Sequence, residues 1–359
     1  MFPTGHGGEL DTPVGNWPFP AASRERPRRE LTPVVQAGYP QGGVGSLASD
    51  GVGWWSVWVD TPDIRPTSAF LREGWSRQEL SRAVEQELVT RVRRGIYSPV
   101  ADLDQEQTHA RQAAAAAHRW HDDFVVSHVS AAVFHGIPVR RQALELVHLS
   151  GEGHTHGKVT AGVRIHQCAV PDDQTTVLGG VRVTSFERTL ADLARAEPFE
   201  WGVIAGDAVL RRSGDRLALA ELADLGRRKR GNRRFREVLT FADPRAESPL
   251  ESLSRVSMSR ARIPVPILQM EVVNQDGEWL ATSDFGWREF GVVGEADGRA
   301  KSSRAEADGK DAGEIVADVQ ARDRLILGAG WTPTHWGWDL AANHHALGNH
   351  LRSVFRNAA

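Results

Sequence analysis

The chain has 359 residues, a length that calls for two or three domains rather than one. Hydrophobic residues make up 40% and charged residues 25%, and the net charge of −3 excludes a globally basic nucleic-acid binder, so any nucleic-acid surface has to be a local patch. A single cysteine, Cys168, excludes intrachain disulfides and cysteine-based zinc sites, no apolar run is long enough for a membrane helix, and no basic-then-apolar leader is present, so a cytoplasmic protein away from membranes is expected.

Residues 1–60 are rich in Gly and Pro and read as a disordered tail, with a downstream translation start near Val57 or Val59 as an alternative. Order is expected from 61. "PTSAFLREGWS" predicts a short helix with Pro66 in its first turn and Gly74 ending it. Ser76 and Glu79 have capping-box spacing for a second helix, whose apolar face is Leu80, Ala83, Val84 and Leu88. Arg77, Gln78, Ser81 and Arg82 fall on its outer face. "LVTRVRRGIYSPV" alternates and breaks at Gly95, which predicts a hairpin carrying Arg91, Arg93 and Arg94. Helix, turn, helix and basic hairpin outline a winged helix-turn-helix over residues 61–100. The outer helix face suits base edges and the hairpin arginines suit phosphates. From 72 to 94 there are six Arg against four Glu, a modest positive balance.

Residues 101–240 alternate helical and strand patterns, starting with an Ala-rich helix at 106–120, and predict a mixed α/β middle domain. Near its end, residues 227–234 carry six positive charges in eight positions, read as a solvated linker or a second phosphate contact. Residues 245–340 predict a helix capped by Glu247 or Ser248, a strand hairpin turning at Asp276-Gly277, a third strand, a helix with Ile315, Val316, Val319, Ile326 and Leu327 on its apolar face, and a final strand. That order, αβββαβ, gathers carboxylates: Glu251 on a helix, Asp284 at one strand end and Glu295 on the next, with Lys301 following. Such hard oxygen donors suit a divalent cation that activates water and neutralises phosphate charge. Residues 341–359 read as a solvated tail, and its histidines, like His154 and His156, as surface residues. His128, in an apolar run, reads as a satisfied core residue.

Two resemblances follow from these pieces. "LREGWSRQELSRAV", "LVTRVRRGIYSP", "VVSHVSAAVFHGIPV", "VTSFERTLADLA" and "DAVLRRSG" resemble the AbiEi-type antitoxins of type IV toxin–antitoxin systems over 61 to about 215. The resemblance implies a winged helix that binds operator DNA and a body that counters a nucleotidyltransferase toxin. "ESPLESLSR", "TSDFGW", "GVVGEADGRAK", "RDRLILGAGW" and "WGWDL" resemble the very-short-patch-repair-type endonuclease domain of the PD-(D/E)XK superfamily over 247–340. That resemblance implies Mg²⁺ or Mn²⁺ held by Asp284 and Glu295, with Glu251, Asp323 and Arg324 facing the site. The superfamily's Glu-x-Lys is Glu295-Ala296-Asp297 here, so either Lys301 takes the lysine's part or the domain is a binding scaffold. Three readings stand open: a DNA-binding antitoxin or transcriptional regulator, a metal-dependent DNA endonuclease targeted by its winged helix, and an antidote that binds a toxin protein.

Overall fold

The computed structural model describes residues 63–119, 124–152, 159–213, 215–274, 276–297 and 311–358. The expected N-terminal tail, His154, His156 and Lys301 lie outside the described residues. Among the described residues the architecture is mixed α/β with three sheets.

The first unit contains β1 (Arg65–Pro66), α1 (Thr67–Arg72), α2 (Arg77–Glu85), β2 (Val89–Arg93) and β3 (Ile96–Pro99), with strand order β1-β3-β2. The capping box forms as its spacing predicts: Ser76 Oγ accepts from Glu79 N at 3.1 Å and Glu79 Oε2 accepts from Ser76 N at 2.7 Å. Pro66 stands at the N-cap of α1 rather than inside its first turn. The turn between β2 and β3 uses Gly95 at φ 82°, a conformation that costs glycine least. Phe70, Leu80, Ala83 and Val89 form the buried centre, closed by Trp75 and Tyr97 edge-on to Phe70.

α3 (Gln105–Arg119) buries an alanine face, including Ala110, Ala113, Ala114 and Ala116, against a six-stranded sheet. That sheet holds β4 (Phe124–Val126), β5 (Val147–Gly151), β6 (Val159–Thr160), β7 (Val163–Gln167), β8 (Thr175–Leu178) and β9 (Val181–Thr184), in the order β6-β7-β5-β4-β9-β8. Alanine lets helix and sheet approach closely, which explains why a stretch with little bulk forms core. α4 (His128–His135), α5 (Phe186–Ala196), α6 (Phe199–Ser213), α7 (Arg216–Leu225) and α8 (Asn232–Phe241) pack into a second core around Leu190, Val209, Leu219 and Phe235.

The last unit begins with α9 (Pro249–Arg260), capped by Ser248, whose side chain accepts from Glu251 N. β10 (Ile267–Val273), β11 (Trp279–Trp287), β12 (Val292–Ala296) and β13 (Thr332–Trp336) form one sheet in that order, the first two pairings antiparallel and the last parallel. α10 (Ala312–Gly328) makes the crossover from β12 to β13. Its expected apolar face is a correction: Ile326 is buried at 1% exposure, whereas Val316, Val319 and Leu327 are exposed at 55%, 39% and 55%. The helix touches the sheet chiefly near its C-terminal end, so much of its apolar stripe never meets a partner among the described residues. The solvated tail is also corrected. α11 (Trp338–Ala341) and α12 (His344–Ala358) follow β13, and α12 buries Leu347, Leu351 and Phe355, whose four-residue spacing makes one helix face.

No flexible linker separates the last two units. α6 and α9 pack together, Ile204 of α6 joining the C-terminal core and Val256 of α9 the middle one. No helix of the described residues is long and apolar enough to cross a membrane.

Candidate nucleic-acid interface and carboxylate site

The outer face of α2 is built as the apolar spacing dictates. Leu80 and Ala83 turn inward, which leaves Arg77, Gln78, Ser81 and Arg82 exposed. The hairpin brings Arg91 and Arg94 beside this face. Arg77, Arg91 and Arg94 line one open cavity of about 430 Å³ with Thr67, Tyr97 and Arg119. Arg119, from the end of α3, has no signal in the local sequence that would place it there; 25 residues separate it from Arg94. No carboxylate among the described residues pairs with Arg77, Arg91 or Arg94. Two of the four nearby glutamates have partners of their own, Glu73 on Arg65 and Glu79 in the α2 cap. Among the described residues, the cavity lining contains four arginines and no carboxylate.

Arg93, expected with the other hairpin arginines, does not line this cavity. Its Nε donates to Gln112 O at 3.0 Å and its Nη1 to Ala161 O at 2.9 Å, tying the hairpin to α3 and to the β6–β7 turn. Period-two alternation would send Arg91 and Arg93 the same way, but a register shift between them in the β2–β3 pairing separates the two.

The carboxylates converge in part. Asp284 on β11 and Glu295 on β12 are both buried, at 8% and 3% exposure. Phe285 faces Gly294, so the same register puts Asp284 opposite Glu295. Asp284 Oδ2 accepts from Ala296 N at 2.8 Å. Glu295 Oε1 accepts from Arg322 Nη2 at 2.7 Å, and that guanidinium also donates to Thr282 O at 2.6 Å. Gly294 makes room beside this pair, because a Cβ there would lie 2.5 Å from the Trp336 ring. Glu251 is also buried, but its Oε2 accepts from Glu247 N at 2.8 Å and Gln269 Nε2 at 3.1 Å, bracing the start of α9 against β10. Among the described residues, the three carboxylates do not bring one oxygen each within 4.8 Å of one another.

Two further groups complete the site. Asp323 faces inward as expected, but Arg324 points to solvent, and Arg322 takes the inward place. His335 on β13 is registered against Glu295. Its Nδ1 lies 2.6 Å from Asp297 Oδ2 and its Nε2 3.0 Å from Asp323 Oδ1. The hydrogen bond to Asp297, reinforced by Asp323 and opposed by partial burial, raises His335 to about 9. It is a fixed imidazolium at neutral pH. Sequence reasoning missed it because nothing local links positions 297, 323 and 335. Asp297, which stands where a lysine was expected, holds a cation instead of supplying one.

No protein-family model matches the chain. Similarity to curated proteins reaches an uncharacterized protein of Mycobacterium tuberculosis, MT2308 in strain CDC 1551 and Rv2248 in strain H37Rv. It is 32% identical over 139 residues, covering 38% of this chain and 49% of the relative. The chain thus spans about half the length of the curated relatives it matches.

Proposed function

We propose that this is a DNA-binding protein of the transcriptional-regulator kind, its first unit acting as a winged helix-turn-helix and the antitoxin type being the form implied by its sequence resemblance. The observation that carries the reading is the cavity in which Arg77, Arg91 and Arg94 meet Arg119. Arg77, Arg91 and Arg94, which pair with no carboxylate among the described residues, match the geometry and charge of backbone phosphates. Gln78, Ser81 and Arg82 stand on the adjoining exposed face of α2 and supply donors for base edges. A nucleotidyltransferase-type toxin as second partner belongs to the same proposal. The test is fluorescence anisotropy with labelled duplex DNA at several salt concentrations. Salt-sensitive binding, lost in Arg77→Ala/Arg91→Ala/Arg94→Ala with the fold intact, is expected. Undiminished binding by that triple variant would sink the reading.

A second reading, metal-dependent DNA endonuclease, is favoured by the buried pair Asp284 and Glu295 on neighbouring strands of a restriction-endonuclease-like αβββαβ unit. Their oxygens are the hard donors that Mg²⁺ or Mn²⁺ takes, so the donor set fits such an ion in kind, with Asp284 and Glu295 holding it. The ion, when bound, supplies charge neutralisation and a more acidic water. Arg322 orients Glu295, and His335 places positive charge on the neighbouring strand. Incubation of supercoiled DNA with Mg²⁺ or Mn²⁺, beside Asp284→Ala and Glu295→Ala, decides it: cleavage by the wild type alone supports the nuclease, and intact DNA throughout removes it.

A further inference from the structure

The middle sheet gathers three histidines outside both sites described above. His148 on β5 and His166 on β7 belong to parallel neighbours registered His148↔Arg164 and Ser150↔His166. Alternation puts both rings on one sheet face, opposite the face where Val147, Leu149, Val163 and Ile165 enter the core. His128, the first residue of α4, comes to the same place with φ 52°, a strained conformation for a non-glycine residue that its surroundings must hold. One ring nitrogen from each histidine lies within 4.8 Å of the other two. His148 Nδ1 and His166 Nε2 are 3.1 Å apart. Two nitrogens on a tetrahedral zinc at ~2.0–2.1 Å stand ~3.3 Å from each other, so an ion would replace the proton that this pair shares with little change in spacing. The His128 ring stacks on His166 at 3.7 Å and 13°. Ligation therefore requires His128 to turn out of the stack toward the shared point.

The support around the rings is built. His128 Nδ1 is 3.0 Å from Ser127 Oγ, which accepts from Ser150 Oγ at 2.7 Å; in the tautomer whose Nδ1–H donates to Ser127 Oγ, His128 Nε2 is left to face an ion. The His148 backbone N–H donates to Ser130 Oγ at 2.8 Å. His109 donates from Nδ1 to Leu144 O at 2.9 Å, so its Nε2 accepts from Ser130 Oγ at 2.8 Å. The Ser127 contact is the kind of outer hydrogen bond that orients a metal-binding histidine, and the others fix the His148 backbone and the neighbouring His109. Burial keeps the rings neutral, as ligands must be, with His148 lowered to about 2. Arg164, Arg188 and Arg195 also act on His128, whereas at His166 Asp192 opposes Arg164; Asp192 also takes Arg188 Nε at 3.0 Å. Cations close by oppose a bare divalent ion but favour one that carries an anion.

We propose that His128, His148 and His166 form a three-imidazole site for a divalent transition metal of zinc type, its fourth position open to a hydroxide or phosphate-like anion. The test uses the full chain, stripped with chelator and titrated with Co²⁺ while visible absorption is read. The proposal expects a single Co²⁺ per chain with the strong bands of four-coordinate nitrogen ligation, displaced by Zn²⁺ and shifted by inorganic phosphate. His166→Gln should weaken binding by at least ~100-fold, more than the loss of an outer hydrogen bond does. His345→Gln, on α12, should change nothing. A folded wild type that gives no such bands overturns the site without recourse to any variant. Bands that persist in His148→Ala/His166→Ala place the ion elsewhere and overturn it too, and bands indifferent to phosphate remove the anion from the assignment.

Discussion

His335 and Asp297, 38 residues apart, meet at 2.6 Å across the end of the C-terminal sheet, with Asp323 closing on the other ring nitrogen at 3.0 Å. The arrangement raises His335 to about 9, against ~6.5 for an unperturbed histidine. The proton is therefore bound more tightly in the folded state. The resulting stabilisation is complete below about pH 6.5, declines as pH rises from there to about 9 and is lost above. Thermal unfolding across that range should show the decline in the wild type and a flatter profile in His335→Gln. An imidazole resonance of His335 titrating near 6.5 by NMR would contradict it.

The arginines of the hairpin should separate into two kinds. Replacing Arg91 or Arg94 by Ala should lower the slope of log affinity against log salt by about 1 each, with little loss of stability. Arg93→Ala should leave that slope unchanged and cost about 1–3 kcal/mol, because its two hydrogen bonds to backbone carbonyls join the hairpin to the middle unit. Anisotropy titrations and urea unfolding on the same preparations give both quantities.

Asp207 on α6 and Arg255 on α9 form an ion pair at 2.7 Å, with side-chain exposures of 1% and 11%. Asp207 also accepts from Asp243 N at 2.8 Å, and Arg255 donates to Phe241 O at 2.7 Å. The pair fastens the middle unit to the last one. Asp207→Ala leaves a guanidinium without its partner in the interior and should cost about 3–5 kcal/mol in denaturant unfolding. Asp207→Asn, which keeps an acceptor for Asp243 N, should cost less.

Gly294 offers a separate test of how the carboxylates are placed. Gly294→Ala would put a methyl 2.5 Å from Trp336, whose indole donates to Ser254 Oγ at 2.8 Å. The overpacking should cost about 1–3 kcal/mol and perturb Trp336 fluorescence. An unchanged spectrum and midpoint would mean that the sheet relaxes freely at this point.

Short-range physics was readable in the chain. The Ser76–Glu79 capping box, the Gly95 turn, the cap of α9 and the αβββαβ order depend on spacings of a few residues, and all of them appear in the fold. So does the mixed α/β class, which follows from alternating periods of hydrophobicity. What the sequence could not settle was direction. Arg91 and Arg93 look equivalent until a strand irregularity separates them. Arg322 and Arg324 differ by two positions on a helix, and only the docking of α10 on the sheet turns the first inward. Val316 and Val319 have helical spacing but meet no facing surface among the described residues, whereas Leu347, Leu351 and Phe355 find one. The three histidines come from a helix start and two strands, and no local pattern joins them. Periodicity and capping act within a helical turn or two, so one sequence contains them; contacts between distant segments exist only once the chain has folded, and only the tertiary structure decides them.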